Sequence, residues 1–182
     1  PYRRWKVYYP KGALENTLPQ ALLDIWVKKP SAVLVSQSDG SFAMEKPEDI
    51  GTLVDIQVID RAESGLLRVL DFVFSGKTVR VRTENAIRTA LALPADAVLV
   101  TADDVVQNGS GGLLPSGFFV PVVLRDTDGS FSGLSLYGSG FGHGVGMSQY
   151  GAAYLAESGQ NYTEILSHYF PETQLQTIYG AS

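Results

Sequence analysis

Apolar positions change their spacing along this chain, and each change marks an element. Arg4 to Tyr9 is aromatic and β-prone, after which Leu14, Leu18, Leu22, Ile25 and Trp26 recur at helical spacing, with Pro19 where a helix can begin. Ala32 to Val35 is a short apolar strand. Ser38-Asp39-Gly40-Ser41 is turn chemistry that opens a polar loop running to Gly51. Val54, Ile56 and Val58 then alternate with Asp55 and Gln57, and Ala62-Glu63-Ser64-Gly65 turns the chain. Leu66 to Phe74 returns, and Ser75-Gly76 turns it again into Thr78 to Arg82, which predicts a three-stranded antiparallel meander. Thr83 is placed to cap a short helix whose stripe is Ala86, Ile87, Ala90 and Leu91, ended by Pro94.

Beyond a strand at Ala97 to Thr101, Gln107-Asn108-Gly109-Ser110-Gly111-Gly112 has the composition of a flexible loop, extending to about residue 117. It is too short to force a domain boundary, so residues 1–182 read as one domain. Phe118 to Leu124 and Phe131 to Tyr137 flank Asp126-Thr127-Asp128-Gly129, a strong hairpin signal. Next comes a glycine-rich stretch, Gly138 to Gln149, and then a helix over Ser148 to Ser158 with Met147, Gly151, Tyr154 and Leu155 on one face. Gly159 stops that helix, and Tyr162 to Phe170 forms another, closed by Pro171. The sum is an α+β fold of an antiparallel β meander and hairpins with short helices.

Composition narrows the chemistry. With 182 residues, 45% hydrophobic and 18% charged, the chain is long enough to bury a core. A net charge of −5 argues against nucleic acid as a partner, since such modules carry a basic face. Having no cysteine excludes a disulfide framework and a thiolate nucleophile. Two histidines without cysteine cannot make a Cys/His zinc site, and Asp126 and Asp128 lack the further acids of a calcium loop, so no metal is expected. No apolar run approaches the roughly 20 residues of a membrane span, and Pro1-Tyr2-Arg3-Arg4-Trp5 has no signal-peptide character.

The glycine stretch holds the candidate site. Glycines stand at alternate positions 138, 140, 142, 144 and 146, which costs conformational entropy and calls for positive φ or close backbone approach. The spacing delivers His143 and backbone N–H groups to a helix N-terminus, where orphan donors favour an oxygen-rich ligand. It does not fit G-x-G-x-x-G, because the third position falls on His143, Val145 or Met147, and no Gly-Lys-Ser/Thr follows. No cofactor is therefore expected. Ser148 lacks the G-x-S-x-G setting of a nucleophile and is placed as a helix cap. His168 reads as a packing or solvent-facing residue. Arg80, Arg82 and Arg88 read as a solvated face, with Arg88 the best placed to donate to a carboxylate or sugar oxygen. The candidate ligand-contacting residues are His143, Gly142, Gly144, Ser148, Gln149 and Arg88; the alternative is a packed strand-to-helix connection.

Gly140-Phe141-Gly142-His143-Gly144-Val145-Gly146-Met147-Ser148-Gln149-Tyr150-Gly151-Ala152, with Ala156, Gly159, Tyr162, Ile165-Leu166 and Tyr169-Phe170-Pro171, resembles the C-terminal signature of the stage II sporulation protein D (SpoIID) and LytB amidase-enhancer family. Ser64-Gly65, Leu70, Phe72, Arg88 and Leu91 resemble the middle of that domain. The resemblance implies an extracytoplasmic protein acting on peptidoglycan glycan strands. Members are either lytic transglycosylases, in which one glutamate protonates the leaving oxygen while a muramyl hydroxyl attacks, or enhancers of a partner amidase or other hydrolase. The family's glutamate lies in an upstream segment with Trp-Pro and an Ala-rich helix, and no such segment stands in this sequence. Nor does the family's cysteine-containing region. Phe141 and Pro171-Glu172-Thr173 depart from the usual pattern. Glu63, Glu84, Glu157 and Glu164 are expected on solvated turns or helix surfaces, so the resemblance leaves this chain without its catalytic acid.

Overall fold

A computed structural model describes residues 2–103, 105–109, 112–144 and 146–176. Contacts divide the chain into two compact units, with the boundary between residues 144 and 145. The first holds two five-stranded antiparallel sheets. One runs in the order β8 (Val106–Asn108), β7 (Val98–Thr101), β1 (Trp5–Pro10), β10 (Phe131–Gly138), β9 (Phe119–Arg125). The other runs β3 (Phe42–Ala43), β2 (Val33–Ser36), β6 (Thr78–Arg82), β5 (Leu67–Phe74), β4 (Leu53–Arg61). With helices α1 (Lys11–Lys28), α2 (Glu84–Ala90), α3 (Gln149–Glu157) and α4 (Tyr162–Tyr169), this is the α+β class read from the sequence.

The expected meander is present as β4, β5 and β6, and the expected hairpin as β9 and β10. Gly129 closes the hairpin turn at φ 84°, where a side chain would be strained. In β4 the simple alternation fails: Leu53 and Ile56 are buried while Val54 and Val58 face solvent. A register shift between Leu53 and Asp55 explains how Leu53 and Ile56, three residues apart, are both buried, because one extra residue moves the following side chains to the other face.

Helix α1 corrects a second expectation. It starts at Lys11, not near Pro19, and carries Pro19 in its interior. An interior proline costs about 3 kcal/mol. The buried row Ala13, Leu14, Leu18, Leu22 and Ile25 continues through it, and that burial outweighs the lost hydrogen bond. The row packs on α2, β1, β2 and β10. Tyr9 is buried beside it, its hydroxyl donating to the Leu91 carbonyl at 2.7 Å, and burial pushes its phenol well above the ordinary range.

Helix α2 begins as expected at Thr83, whose side chain accepts from the Ala86 N–H, and Ala86, Ile87, Ala90 and Leu91 are buried. The expected loop near 107–117 is more structured than its composition implies. Its start lies in β8, which pairs with β7, and the Gly109 N–H donates to the Ala97 carbonyl. Its end, residues 114–117, is buried. Ser110 and Gly111 lie outside the described residues.

In the second unit, Ser148 caps α3 and Asn161 caps α4 in a reciprocal capping box with Glu164. Gly159, at φ 92°, ends α3 as expected. Ile165 is the one buried residue in the two helices, so the expected apolar face of Met147, Tyr154 and Leu155 is not a buried one.

Candidate functional site

In the first unit the glycine loop grows out of the end of β10 and is stitched to the segment at residues 115–118. The Ser139 N–H donates to the Phe118 carbonyl at 2.9 Å, and the Gly142 N–H to the Pro115 carbonyl at 2.8 Å. Gly142 also forms a parallel bridge with Ser116. The buried Ser116 hydroxyl donates to the Ser139 carbonyl at 2.6 Å and accepts from the Phe118 N–H. From β1, the Trp5 indole donates to the Gly140 carbonyl at 3.1 Å. The loop's path is thus fixed at three of its residues by bonds to other segments.

Both expected reasons for glycine are found. Gly140, Gly142, Gly144 and Gly146 have φ between 70° and 117°, a region that side chains disfavour. Gly138 does not; there a Cβ would overlap the Trp5 ring, so the side-chain-free backbone lets indole and loop approach. At Gly144 both reasons meet, since a Cβ would also lie 2.5 Å from Phe118.

Arg88 lies behind this wall and is not on a solvated face. Its side chain is 12% exposed and that of Glu84 is 11% exposed, with Nη1 of Arg88 2.7 Å from Oε1 of Glu84 one helical turn earlier. Nε donates to the Leu114 carbonyl at 2.8 Å, and Nη2 reaches the Pro115 carbonyl at 3.4 Å. That Pro115 carbonyl also accepts from Gly142, so the structure brings Arg88 and Gly142 together through one shared acceptor. Glu84 corrects the solvated reading given to it: its Cγ packs where a Cβ on Gly117 would sit, at 2.7 Å, and its charge is neutralised by Arg88. Arg80 is likewise engaged, holding the buried Asp71 through two bonds of 2.8 and 2.9 Å.

His143 and Gly144 are exposed at the outer end of the loop, in the first unit. Ser148 and Gln149 stand in the second. The Ser148 Oγ accepts from the Gly151 N–H at 3.0 Å, which confirms its cap role and leaves its own proton available for donation. Gln149 is the first residue of α3 and is exposed. Val145, between the two groups, lies outside the described residues. His168 is exposed, with its ring edge-on to that of its chain neighbour Tyr169 at 4.9 Å, so of the two roles expected for it the structure shows the solvent-facing one.

Sequence reading places Glu84 on a solvated surface and assigns Ser116 and Trp5 no part in the loop. The Glu84/Arg88 pair was visible as an i, i+4 couple on a helix, whereas nothing in the sequence tied Ser116 or Trp5 to the loop. Among the described residues no group of three or more His, Asp or Glu is arranged to hold a metal ion, and no helix is long and apolar enough to cross a membrane.

No family model matches the chain. Parts of it are similar to curated proteins: 52% identity over 53 residues with the amidase enhancer of Bacillus subtilis (strain 168), and 68% over 31 residues with stage II sporulation protein D of Bacillus amyloliquefaciens. A third match, 53% over 36 residues, is to stage II sporulation protein D of Bacillus subtilis (strain 168). These stretches are 29, 17 and 20% of this chain and only 7, 9 and 10% of those proteins, so the chain spans a small part of the relatives it matches. The resemblance to the SpoIID and amidase-enhancer proteins read from the sequence is borne out over those stretches.

Proposed function

We propose that this chain binds peptidoglycan glycan strands outside the cytoplasm, as the glycan-facing part of a lytic-transglycosylase-type protein whose catalytic acid this chain does not supply. The observation that carries the reading is the braced glycine loop. It is held from behind by Trp5, Ser116 and the carbonyls that Arg88 fixes, and it carries His143 exposed at its outer end. A loop fixed before binding loses little conformational entropy on meeting a ligand. In this reading His143 donates to sugar or lactyl oxygens from the first unit; the second unit, taken by itself, offers the Ser148 hydroxyl, the Gln149 amide and the first N–H groups of α3 as glycan donors. Arg88 acts as the brace that sets Gly142. Glu84, joined to Arg88, is already committed as its counter-ion, which supports placing the acid elsewhere.

Sedimentation with insoluble peptidoglycan tests this. The chain is expected in the pellet, and His143→Ala and Gln149→Ala are each expected to weaken retention about tenfold, the effect of losing a well-placed hydrogen bond on binding. Retention unchanged in both variants would remove the loop from the site. Digestion of purified glycan strands by the chain alone is expected to give no anhydro-muramyl ends, and their appearance would overturn the missing acid. A second reading, enhancement of a partner amidase, is favoured by the name of the relative matched over 53 residues. Adding the chain to a cell-wall amidase and measuring release of stem peptides distinguishes it from glycan binding alone.

A further inference from the structure

One aromatic ring stands out from the glycine loop. Phe141 is 67% exposed, and of its neighbours there, Ser139, Gly140, Gly142, His143 and Gly144, none has an apolar side chain. Single exposed apolar residues are common on protein surfaces and by themselves signify little. What sets this one apart is how it is held. The Gly140 carbonyl before it accepts from the Trp5 indole at 3.1 Å, and the Gly142 N–H after it donates to the Pro115 carbonyl at 2.8 Å. The backbone is therefore fixed on both sides of a ring that the core does not enclose.

The ring also has a support. Tyr2 packs partly buried against the core of the first unit, and its ring stacks on that of Phe141, with centroids 4.8 Å apart and planes 29° from parallel. Such a pair gains more than its buried area, and it holds one face of Phe141 inward while the other meets solvent. A Cβ added at Gly140 or at Gly142 would meet nothing within 4 Å, so the backbone flanking the ring borders open space. His143 is exposed two residues further on. Core, Tyr2 and Phe141 thus build outward to a fixed, open π-face with bare backbone on either side.

We propose that Phe141 is the stacking platform of the loop and takes the apolar C–H face of a pyranose ring. The inference rests on the glycan reading above and adds to it the surface that recognises the sugar ring itself. A pyranose with equatorial substituents presents C–H bonds on its faces and oxygens around its rim. The electron-rich face of Phe141 attracts those C–H bonds and removes apolar surface from water, while donors beside it reach the rim oxygens. Tyr2 is a positioning residue, acting through Phe141. A protein partner fits less well: a stable interface buries about 800 Å² on each side, and a ring framed by glycine, serine and histidine has no apolar neighbour on the loop to extend it.

The test is titration of the whole chain with the β-1,4-linked tetramer of N-acetylglucosamine, with sugar C–H protons followed by NMR and affinity by calorimetry. Protons seated on an aromatic face move upfield in the ring current. The wild-type chain and Phe141→Tyr are expected to bind the tetramer and to shift C–H protons of one sugar upfield. Phe141→Leu keeps an apolar side chain without a π-face, and is expected to abolish that shift and weaken binding about tenfold. Tyr2→Leu is expected to weaken binding severalfold. The Gly142 amide signal, which reports the bond to Pro115, is expected unchanged in Phe141→Leu, so that lost binding is not a lost loop. Full affinity in Phe141→Leu, or wild-type binding with no upfield shift, would overturn the platform. If His143→Ala weakens tetramer binding and Phe141→Leu does not, the glycan reading stands without it. No binding of the tetramer by the wild type also overturns it, and retention on insoluble peptidoglycan then decides the glycan reading separately.

Discussion

At the scale of single residues, the assignment that matters most is Arg88. From the sequence it stood out as a possible ligand donor; in the structure its guanidinium meets Glu84 and the carbonyls of Leu114 and Pro115. The two roles separate experimentally. As a brace, Arg88→Ala leaves the nearly buried Glu84 without its counter-ion and frees two carbonyls, a loss of about 2–4 kcal/mol in urea unfolding. Glu84→Gln is expected to cost about 1 kcal/mol. The double variant is expected to cost less than the sum, because the unpaired charge left by the first change is removed by the second. The amide of Gly142, which shares the Pro115 carbonyl with Arg88, is expected to exchange faster in Arg88→Ala. A variant that keeps wild-type stability and loses only glycan retention would return Arg88 to the ligand-contacting set. The four atoms that make the brace sit on α2 and on residues 114–115, over 20 positions apart in sequence, and a spacing argument has no means of joining them.

Elements were legible where one period held throughout. Helix α2, the hairpin of β9 and β10, and the caps at Thr83 and Ser148 follow from local chemistry and appear where the residues indicate. Misreadings fall where tertiary burial overrides a local rule: Pro19 inside α1, the bulged β4, and β8 in a stretch of loop composition. Helix α3 is the element on which this distinction bears for the candidate site. It has no buried residue, no acidic residue in its first turn and no basic one in its last, so its cap carries an unusual share of its stability. Ser148→Ala is expected to destabilise α3 by about 1 kcal/mol, seen as loss of helical chemical shifts over residues 149–157. Ser148→Asp is expected to retain the helix, since a carboxylate caps equally well and favours the positive end of the dipole. Should Ser148→Asp keep the helix and still lose peptidoglycan retention, the hydroxyl's proton is the part that contacts glycan. Wild-type helicity in Ser148→Ala would instead show that α3 does not depend on its cap.

For the molecule as a whole, the family-like signature runs without a break across the boundary at residues 144 and 145 that separates the two compact units. Period and turn chemistry report local conformation; they do not report how much apolar surface each stretch finally buries. The first unit encloses a continuous core reaching from Trp5, Val7 and Tyr9 through Leu70, Phe72 and Val81 to Leu134 and Leu136. In the second, Ile165 is the buried hydrophobic residue among those described, and Tyr150, Tyr154 and Tyr162 are exposed. At about 25 cal/mol per Å² of buried apolar surface, one isoleucine contributes only about 2–3 kcal/mol, too little to offset the entropy of ordering two helices. Hydrogen exchange under native conditions is therefore expected to be biphasic by unit. Amides of β1, β5 and β10 should exchange only with global unfolding, and those of α3 and α4 should exchange through local opening at far lower protection. Insoluble glycan, if it engages Ser148 and Gln149, should raise protection in α3 selectively, by the linkage between binding and local order. Equal protection of both units in the free protein would mean that the second gains stability from contacts beyond its own helices, and the small buried surface of α3 and α4 would then not set their order.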